Sequence, residues 1–285
     1  MTLRSPDIPL FDTITPTFQT ARERYGIWPT TVWEADVKDP LTRELKRLIG
    51  DRGEAREGVF TKDADDASTY RGKLSASIFS PAVAAWAMNL YLTRPCLVAD
   101  PFAGGGTRAI MAAALGHKYI GTELRTEEAD AVNERIATLG YGDRARVVVD
   151  DARNLAQHVQ RADMVLTCPP YWNLEKYNGG PSDLSMAPTY SLFLDGIEAV
   201  ARSCRAALKP GAVAFWVAGL HRQPNGALLP LHHGIAEAHR RVGFEPREEI
   251  VIHRTNDGSM TRIGQFEKGN RHLVRQHEYG LVFRR

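Results

Sequence analysis

The sequence predicts an α/β fold, a doubly wound and mostly parallel sheet with helices on both faces. Three observations carry this. From about residue 78, seven short apolar runs alternate with amphipathic segments. Those runs are apolar almost throughout, as strands covered on both faces must be. Only the last two lack a helical pattern between them, which predicts an antiparallel last strand.

The elements follow in order. Ser80-Pro81 supplies a cap and a favoured first residue for a helix over 82–92. Strands are expected at 96–100, 119–124, 146–150 and 164–168, with helices at 106–115 and 126–139 between them. Leu192, Phe193, Ile197, Val200, Cys204 and Leu208 recur at threes and fours and predict a long helix, stopped by Lys209-Pro210-Gly211. A strand at 212–218, a helix at 231–242 and strands at 250–253 and 279–283 complete the pattern. Residues 76–285 thus read as the main domain and 1–75 as an N-terminal extension. The extension holds an aromatic turn, Tyr25-Gly26-Ile27-Trp28-Pro29, and a short helix capped by Asp39 and ended by Gly50. An exposed, charged connection over 51–73 follows.

Composition excludes several classes. The chain has 285 residues, 43% hydrophobic and 25% charged, which rules out disordered and fibrous proteins. No apolar run nears the roughly 18 residues that span a bilayer, so no membrane association is expected. The first residues lack an apolar signal region. Cys96, Cys168 and Cys204 stand far apart, against a disulfide framework or a cysteine zinc site, and a reducing cytoplasm is expected. Nine histidines show no H-x-x-x-H or H-E-x-x-H spacing, so no metal is expected. Net charge is only +2, but residues 254–285 carry seven Lys/Arg against three Asp/Glu.

Two strand-end loops carry the chemistry. Asp100-Pro101-Phe102-Ala103-Gly104-Gly105-Gly106-Thr107 joins the first strand to its helix. Glycines there let the backbone approach a ligand, and the helix start offers free N–H groups. Glu123 closes the next strand, where a carboxylate accepts from both hydroxyls of a ribose. Asp151, past the third strand, can accept from an adenine amino group. The G-x-G-x-x-G spacing of dinucleotide binders is missing, and so is the G-K-[S/T] of P-loop hydrolases. The second loop, Thr167-Cys168-Pro169-Pro170-Tyr171-Trp172, follows the fourth strand. Its prolines hold the backbone extended, with a fixed carbonyl direction and an aromatic ring beside it. A rigid acceptor and a stacking ring suit a flat base bearing an amino group.

This motif pair resembles the S-adenosylmethionine-dependent DNA amino-methyltransferases, which modify cytosine N4 or adenine N6. Their F-x-G-x-G is matched by Phe102-Ala103-Gly104-Gly105-Gly106 and their [D/N/S]-P-P-[Y/F/W] by Cys168-Pro169-Pro170-Tyr171. The resemblance extends to a phage-encoded branch of that family, through Leu174-Glu175-Lys176-Tyr177 and Pro181-Ser182-Asp183-Leu184-Ser185. The resemblance covers residues 25–285. It implies a Rossmann-like class I methyltransferase with a seven-stranded sheet. Its cofactor would be S-adenosyl-L-methionine and its substrate double-stranded DNA with one base flipped out. Phe102, Gly104 and Gly106 would hold the methionine end, flanked by Asp100 and Thr107, with Ser80 at the pocket edge. Glu123 would bind ribose and Asp151 adenine, and Tyr171 would stack on the extruded base.

An amino nitrogen conjugated to a ring is a poor nucleophile. Hydrogen-bond acceptors, here the Pro169 carbonyl and the side chain at 168, would draw it towards tetrahedral geometry for direct in-line transfer. Cysteine at 168 departs from the family's Asp, Asn or Ser. Three roles are open to it: a small filler beside a sufficient carbonyl, a direct acceptor, or a nucleophile towards a pyrimidine ring carbon. Residues 172–188, with Trp172 and Tyr177, read as a flap over the base. Residues 254–277 read as a basic loop in which Arg262, Lys268 and Arg271 meet phosphate or a displaced base. The same site could also serve RNA or a protein amide nitrogen, or belong to a catalytically silent relative that binds nucleic acid.

Overall fold

Strand β2 (Leu97–Asp100) lies inside the sheet, paired in parallel with β3 (Lys118–Glu123) on one side and β5 (Ala162–Thr167) on the other. The computed structural model describes residue 27, residues 29–35, residues 79–254 apart from 94, 175, 178 and 224, and residues 273–285. The helix expected at 39–50, the connection at 51–73 and the basic residues Arg262, Lys268 and Arg271 lie outside the described residues.

The remaining strands are β1 (Val32–Glu34), β4 (Ala145–Val149), β6 (Leu208–Ala218), β9 (Glu245–His253) and β10 (His277–Arg284). With β2, β3 and β5 they form an eight-stranded sheet in the order β1-β9-β10-β6-β5-β2-β3-β4. Strand β10 runs antiparallel to both β6 and β9, as the lack of a helical sequence pattern between the last two apolar runs predicts. The seven expected strands are all present. The eighth, β1, is only three residues long, too short for any periodicity to reveal. It pairs in parallel with β9, so part of the stretch read as an N-terminal extension is built into the sheet. Its Trp33 is 1% exposed and stacks on Phe215 at 5.6 Å.

Alternation of side chains sends each strand's residues into two cores. Met164, Leu166, Phe215, Val217 and Val282 face helices α1 (Pro81–Tyr91), α2 (Thr107–Ala114) and α3 (Thr126–Thr138). Val165, Trp216, Leu281 and Phe283 face the short α4 (Leu155–His158) and the longer α5 (Tyr190–Ala207) and α6 (Leu231–Arg241). Helix α5 ends at Ala207, just before Lys209-Pro210-Gly211. A two-stranded hairpin, β7 (His221–Arg222) with β8 (Leu228–Leu229), lies between β6 and α6 and has no counterpart in the sequence reading. Among the described residues no helix is long and apolar enough to cross a membrane, and no group of His, Cys, Asp and Glu is placed to hold a metal.

The strand order reverses between β2 and β5, the neighbours of the sheet's middle. A ligand crevice is expected outside the carboxyl ends of strands at such a reversal. The loops after β2, β3, β4 and β5 all open there.

Candidate functional site

A single cavity collects both loops. Its wall includes Phe102 to Arg108 from the first, Cys168 to Tyr171 from the second, and Glu123, Asp151 and Ser80 around them. Residues predicted from two strand ends are therefore brought together on one surface.

The first loop is shaped by a buried carboxylate. Asp100 is 0% exposed, and its Oδ1 accepts from Phe102 N at 3.0 Å and from the Thr167 hydroxyl at 2.6 Å. Its Oδ2 accepts from Arg108 Nε at 2.6 Å and from the Tyr119 hydroxyl at 2.8 Å. Sequence reasoning placed Asp100 against the cofactor. The structure corrects this: four donors from its own fold occupy the carboxylate, which is not part of the cavity wall. Arg108 also donates to the Phe102 and Ala103 carbonyls and lies 4.6 Å from the Phe79 ring centroid. Burial opposes its charge, but Asp100 beside it holds the guanidinium well above its ordinary pKa. Arg108 was missed from sequence, where the one available signal was a cation inside an otherwise apolar helix start.

Gly104 and Gly106 adopt φ values of +49° and +76°, the left-handed region that favours glycine. At Gly106 a Cβ would also lie 2.6 Å from Val132 Cγ1, so α3 packs directly on the turn. Helix α2 starts on the next residue. Thr107 is 2% exposed, lines the cavity, and its hydroxyl has no hydrogen-bond partner. A buried orphan hydroxyl at a helix start, where the first N–H groups have no acceptor within the helix, fits the carboxylate of an amino-acid moiety.

Glu123 accepts from Gly104 N at 3.0 Å through one oxygen and from Arg125 N at 3.0 Å through the other. Burial raises its pKa, offset in part by the Arg125 and Gly104 N–H groups. Each oxygen keeps acceptor capacity towards the cavity. Asp151 caps the turn after β4, accepting from Arg153 N at 2.9 Å and Nε at 2.8 Å. Although burial works the other way, Arg153 holds the Asp151 carboxyl below the usual range. Ser80 caps α1 through Val83 N at 3.4 Å and donates to the Ala35 carbonyl at 3.3 Å, tying β1 to the pocket edge.

In the second loop, Cys168 Sγ lies 4.0 Å from the Pro169 carbonyl oxygen and 3.8 Å from the Tyr171 hydroxyl. That hydroxyl donates to Glu278 at 2.8 Å, and Glu278 accepts from Arg254 at 2.9 Å. Burial, with Cys168 and Glu278 alongside, pushes the Tyr171 phenol well above its ordinary pKa. Glu278 and Arg254 both line the cavity, and Glu278 escaped the sequence reading because the last strand was started at Tyr279.

The expected flap borders the cavity through Tyr177, Gly179, Ser182, Asp183 and Leu184. Asp183 accepts from Gly179 N at 3.0 Å and Ser185 N at 2.8 Å, and Ser185 accepts from Tyr177 N at 3.2 Å. Trp172 was expected to meet the substrate, and here too the structure is a correction. Its backbone φ of +49° swings the indole into the core, where Nε1 donates to Ala187 O at 3.0 Å and the ring packs 5.5 Å from Tyr190. Trp172 anchors the loop rather than lining the cavity. Of the basic residues at the ends of the 254–277 loop, Arg254 pairs with Glu278 and Arg275 donates to the Leu220 carbonyl.

Residues 162–285 match the family model described as DNA methylase. A 40-residue segment is 55% identical to the orphan methyltransferase M.BamHII of Bacillus amyloliquefaciens, covering 14% of this chain and 15% of that protein. TrmN from Thermus thermophilus superposes with a TM-score of 0.54 at 18% identity, over 88% of this chain and 55% of its own. A geranyl diphosphate methyltransferase solved with sinefungin gives 0.52 at 14% identity, over 72% and 78%. The chain thus spans little more than half of TrmN and a small part of M.BamHII. At these identities the solved structures establish the class I methyltransferase fold. The resemblance to DNA amino-methyltransferases is carried by the family match over residues 162–285 and by the motif pair that meets in the cavity.

Proposed function

We propose that the protein transfers the methyl group of S-adenosylmethionine to the exocyclic amino nitrogen of a DNA base, cytosine N4 or adenine N6. One observation carries the reading: the glycine turn at Phe102–Gly106 and the Cys168-Pro169-Pro170-Tyr171 loop line the same cavity. When bound, the cofactor supplies a methyl group on a sulfonium centre. The Thr107 hydroxyl and the start of α2 hold its amino-acid end, Glu123 takes the ribose hydroxyls, and Asp151 takes the adenine amino group. Each of these residues lies on the cavity wall.

At the opposite end, the Pro169 carbonyl accepts a hydrogen bond from the target amino group and draws its lone pair out of conjugation. Tyr171 stacks on the extruded base and sets its plane. The thiol of Cys168 has the Tyr171 and Pro169 oxygens as neighbours. Sulfur is a weak acceptor, which favours the backbone carbonyl as the main one. Rate comes from orientation and from acceptors aimed in advance, with no covalent enzyme intermediate. The flap residues from Tyr177 to Leu184 exclude water from the cavity.

The test is incubation with isotopically labelled S-adenosylmethionine and unmodified double-stranded DNA, followed by nucleoside mass spectrometry. Label on N4-methylcytosine or N6-methyladenine is expected. Label in RNA or protein alone, or cofactor binding without transfer to any of the three, would overturn the proposal.

A further inference from the structure

Tyr171 is held from two sides by parts of the chain far away in sequence. Against the Cε2 side of the ring lies Gly219, just past β6, whose bare backbone sits so close that a Cβ there would be 2.8 Å from Tyr171 Cε2. At the ring's tip lies Glu278 on β10, whose Oε1 accepts from the phenol at 2.8 Å while Oε2 accepts from Arg254 at 2.9 Å. Glu278 is itself oriented by the guanidinium, and both side chains are largely buried, at 21% and 17% exposed. The prolines fix the backbone before Tyr171 but not its side-chain rotation. The Gly219 backbone and the Glu278 carboxylate both limit that rotation.

We propose that Glu278 is a positioning residue for base binding: it pins the Tyr171 ring against the Gly219 backbone at the cavity wall. The inference rests on the reading that Tyr171 stacks on the target base. Pinning matters because a ring already held at the stacking angle loses no rotamer freedom when the base arrives. Strand β10 thereby acts on the site from the antiparallel part of the sheet, where no motif lies. Arg254 completes the arrangement by holding the second carboxylate oxygen at 2.9 Å.

The test compares Glu278→Ala, Glu278→Gln, Tyr171→Phe and the Tyr171→Phe/Glu278→Ala double variant. Glu278→Ala is expected to slow methyl transfer roughly tenfold, the usual scale for losing a hydrogen bond to a charged group, while affinity for S-adenosylhomocysteine changes less than about twofold. Glu278→Gln keeps an acceptor and recovers most of the rate, whereas Tyr171→Phe falls as far as Glu278→Ala. The double variant falls no further than either single one, because both remove the same contact. Transfer at the wild-type rate in Glu278→Ala, or losses that multiply in the double variant, would overturn the inference. A second readout stands apart from the reaction: the Tyr171 Cζ resonance in carbon-13 tyrosine-labelled protein, assigned by its disappearance in Tyr171→Phe. It moves in Glu278→Ala if the contact exists in solution, and an unmoved resonance refutes it. Should the wild type transfer no methyl group to any acceptor, the proposed function fails and the role in base binding with it, while this resonance still decides whether Glu278 holds Tyr171.

Discussion

Replacing Asp100 with asparagine separates two roles that a cofactor-site acid can play. In the carboxylate, Oδ1 receives Phe102 N and Thr167 Oγ1, and Oδ2 receives Arg108 Nε and Tyr119 Oη, all within 3.0 Å. An amide has one accepting oxygen and one donating nitrogen. Whichever way it is turned, two of the four donors then face another donor, and the buried Arg108 loses its counter-charge. Breaking a buried ion pair by removing one partner costs about 3–5 kcal/mol. Against a total stability of about 5–15 kcal/mol that is a large share. Urea denaturation at neutral pH, followed by tryptophan fluorescence, should show the midpoint falling by about 1–2 M with little change in slope. Binding of S-adenosylhomocysteine, measured by calorimetry on the protein that remains folded, should weaken as a consequence of the disordered turn. If Asp100→Asn keeps its stability within about 1 kcal/mol while cofactor binding collapses, Asp100 is a direct ligand contact and the argument from its four donors is wrong.

Gly106→Ala forces alanine to φ +76° and its methyl onto Val132. It should cost about 1–3 kcal/mol in thermal unfolding and abolish S-adenosylhomocysteine binding. Burial raises the Glu123 pKa, so cofactor affinity should decline with falling pH sooner than an ordinary carboxylate would dictate. Calorimetry across pH should show that decline, and Glu123→Gln should flatten it. His239 is fully buried against Phe283, and burial lowers its pKa from 6.5 to about 4. The unfolded chain therefore takes up a proton that the native state refuses, and stability is lost as pH falls from about 6.5 to 4. The loss from this one group is roughly 3 kcal/mol by linkage, and denaturant titrations of His239→Phe should lack it. Cys168→Ser should retain methyl transfer while Tyr171→Ala removes most of it; complete loss in Cys168→Ser would point to attack on a pyrimidine ring carbon instead.

Much of the architecture was legible because periodicity and punctuation are local properties. The apolar runs of β2, β5 and β6 needed no partner to be recognised, since a strand buried on both faces is apolar along most of its length. The Phe102–Gly106 turn was equally visible, because left-handed backbone at Gly104 and Gly106 requires residues without a Cβ. Strand β1 was hidden: three residues have no period, and Trp33 earns its place through stacking on Phe215 across the fold.

The direction in which each polar side chain points belonged to the three-dimensional packing. Asp100 and Trp172 sit inside the two motifs, yet the first turns inward to Arg108 and Tyr119 and the second inward to Ala187 and Tyr190. Glu278 carries no motif, yet its carboxylate reaches Tyr171 across 107 positions of chain. Backbone conformation is governed by neighbours in sequence, and so composition and spacing can announce it. A buried donor or acceptor must instead be satisfied by whatever the folded chain brings within about 3 Å, and that set exists only after the sheet has assembled.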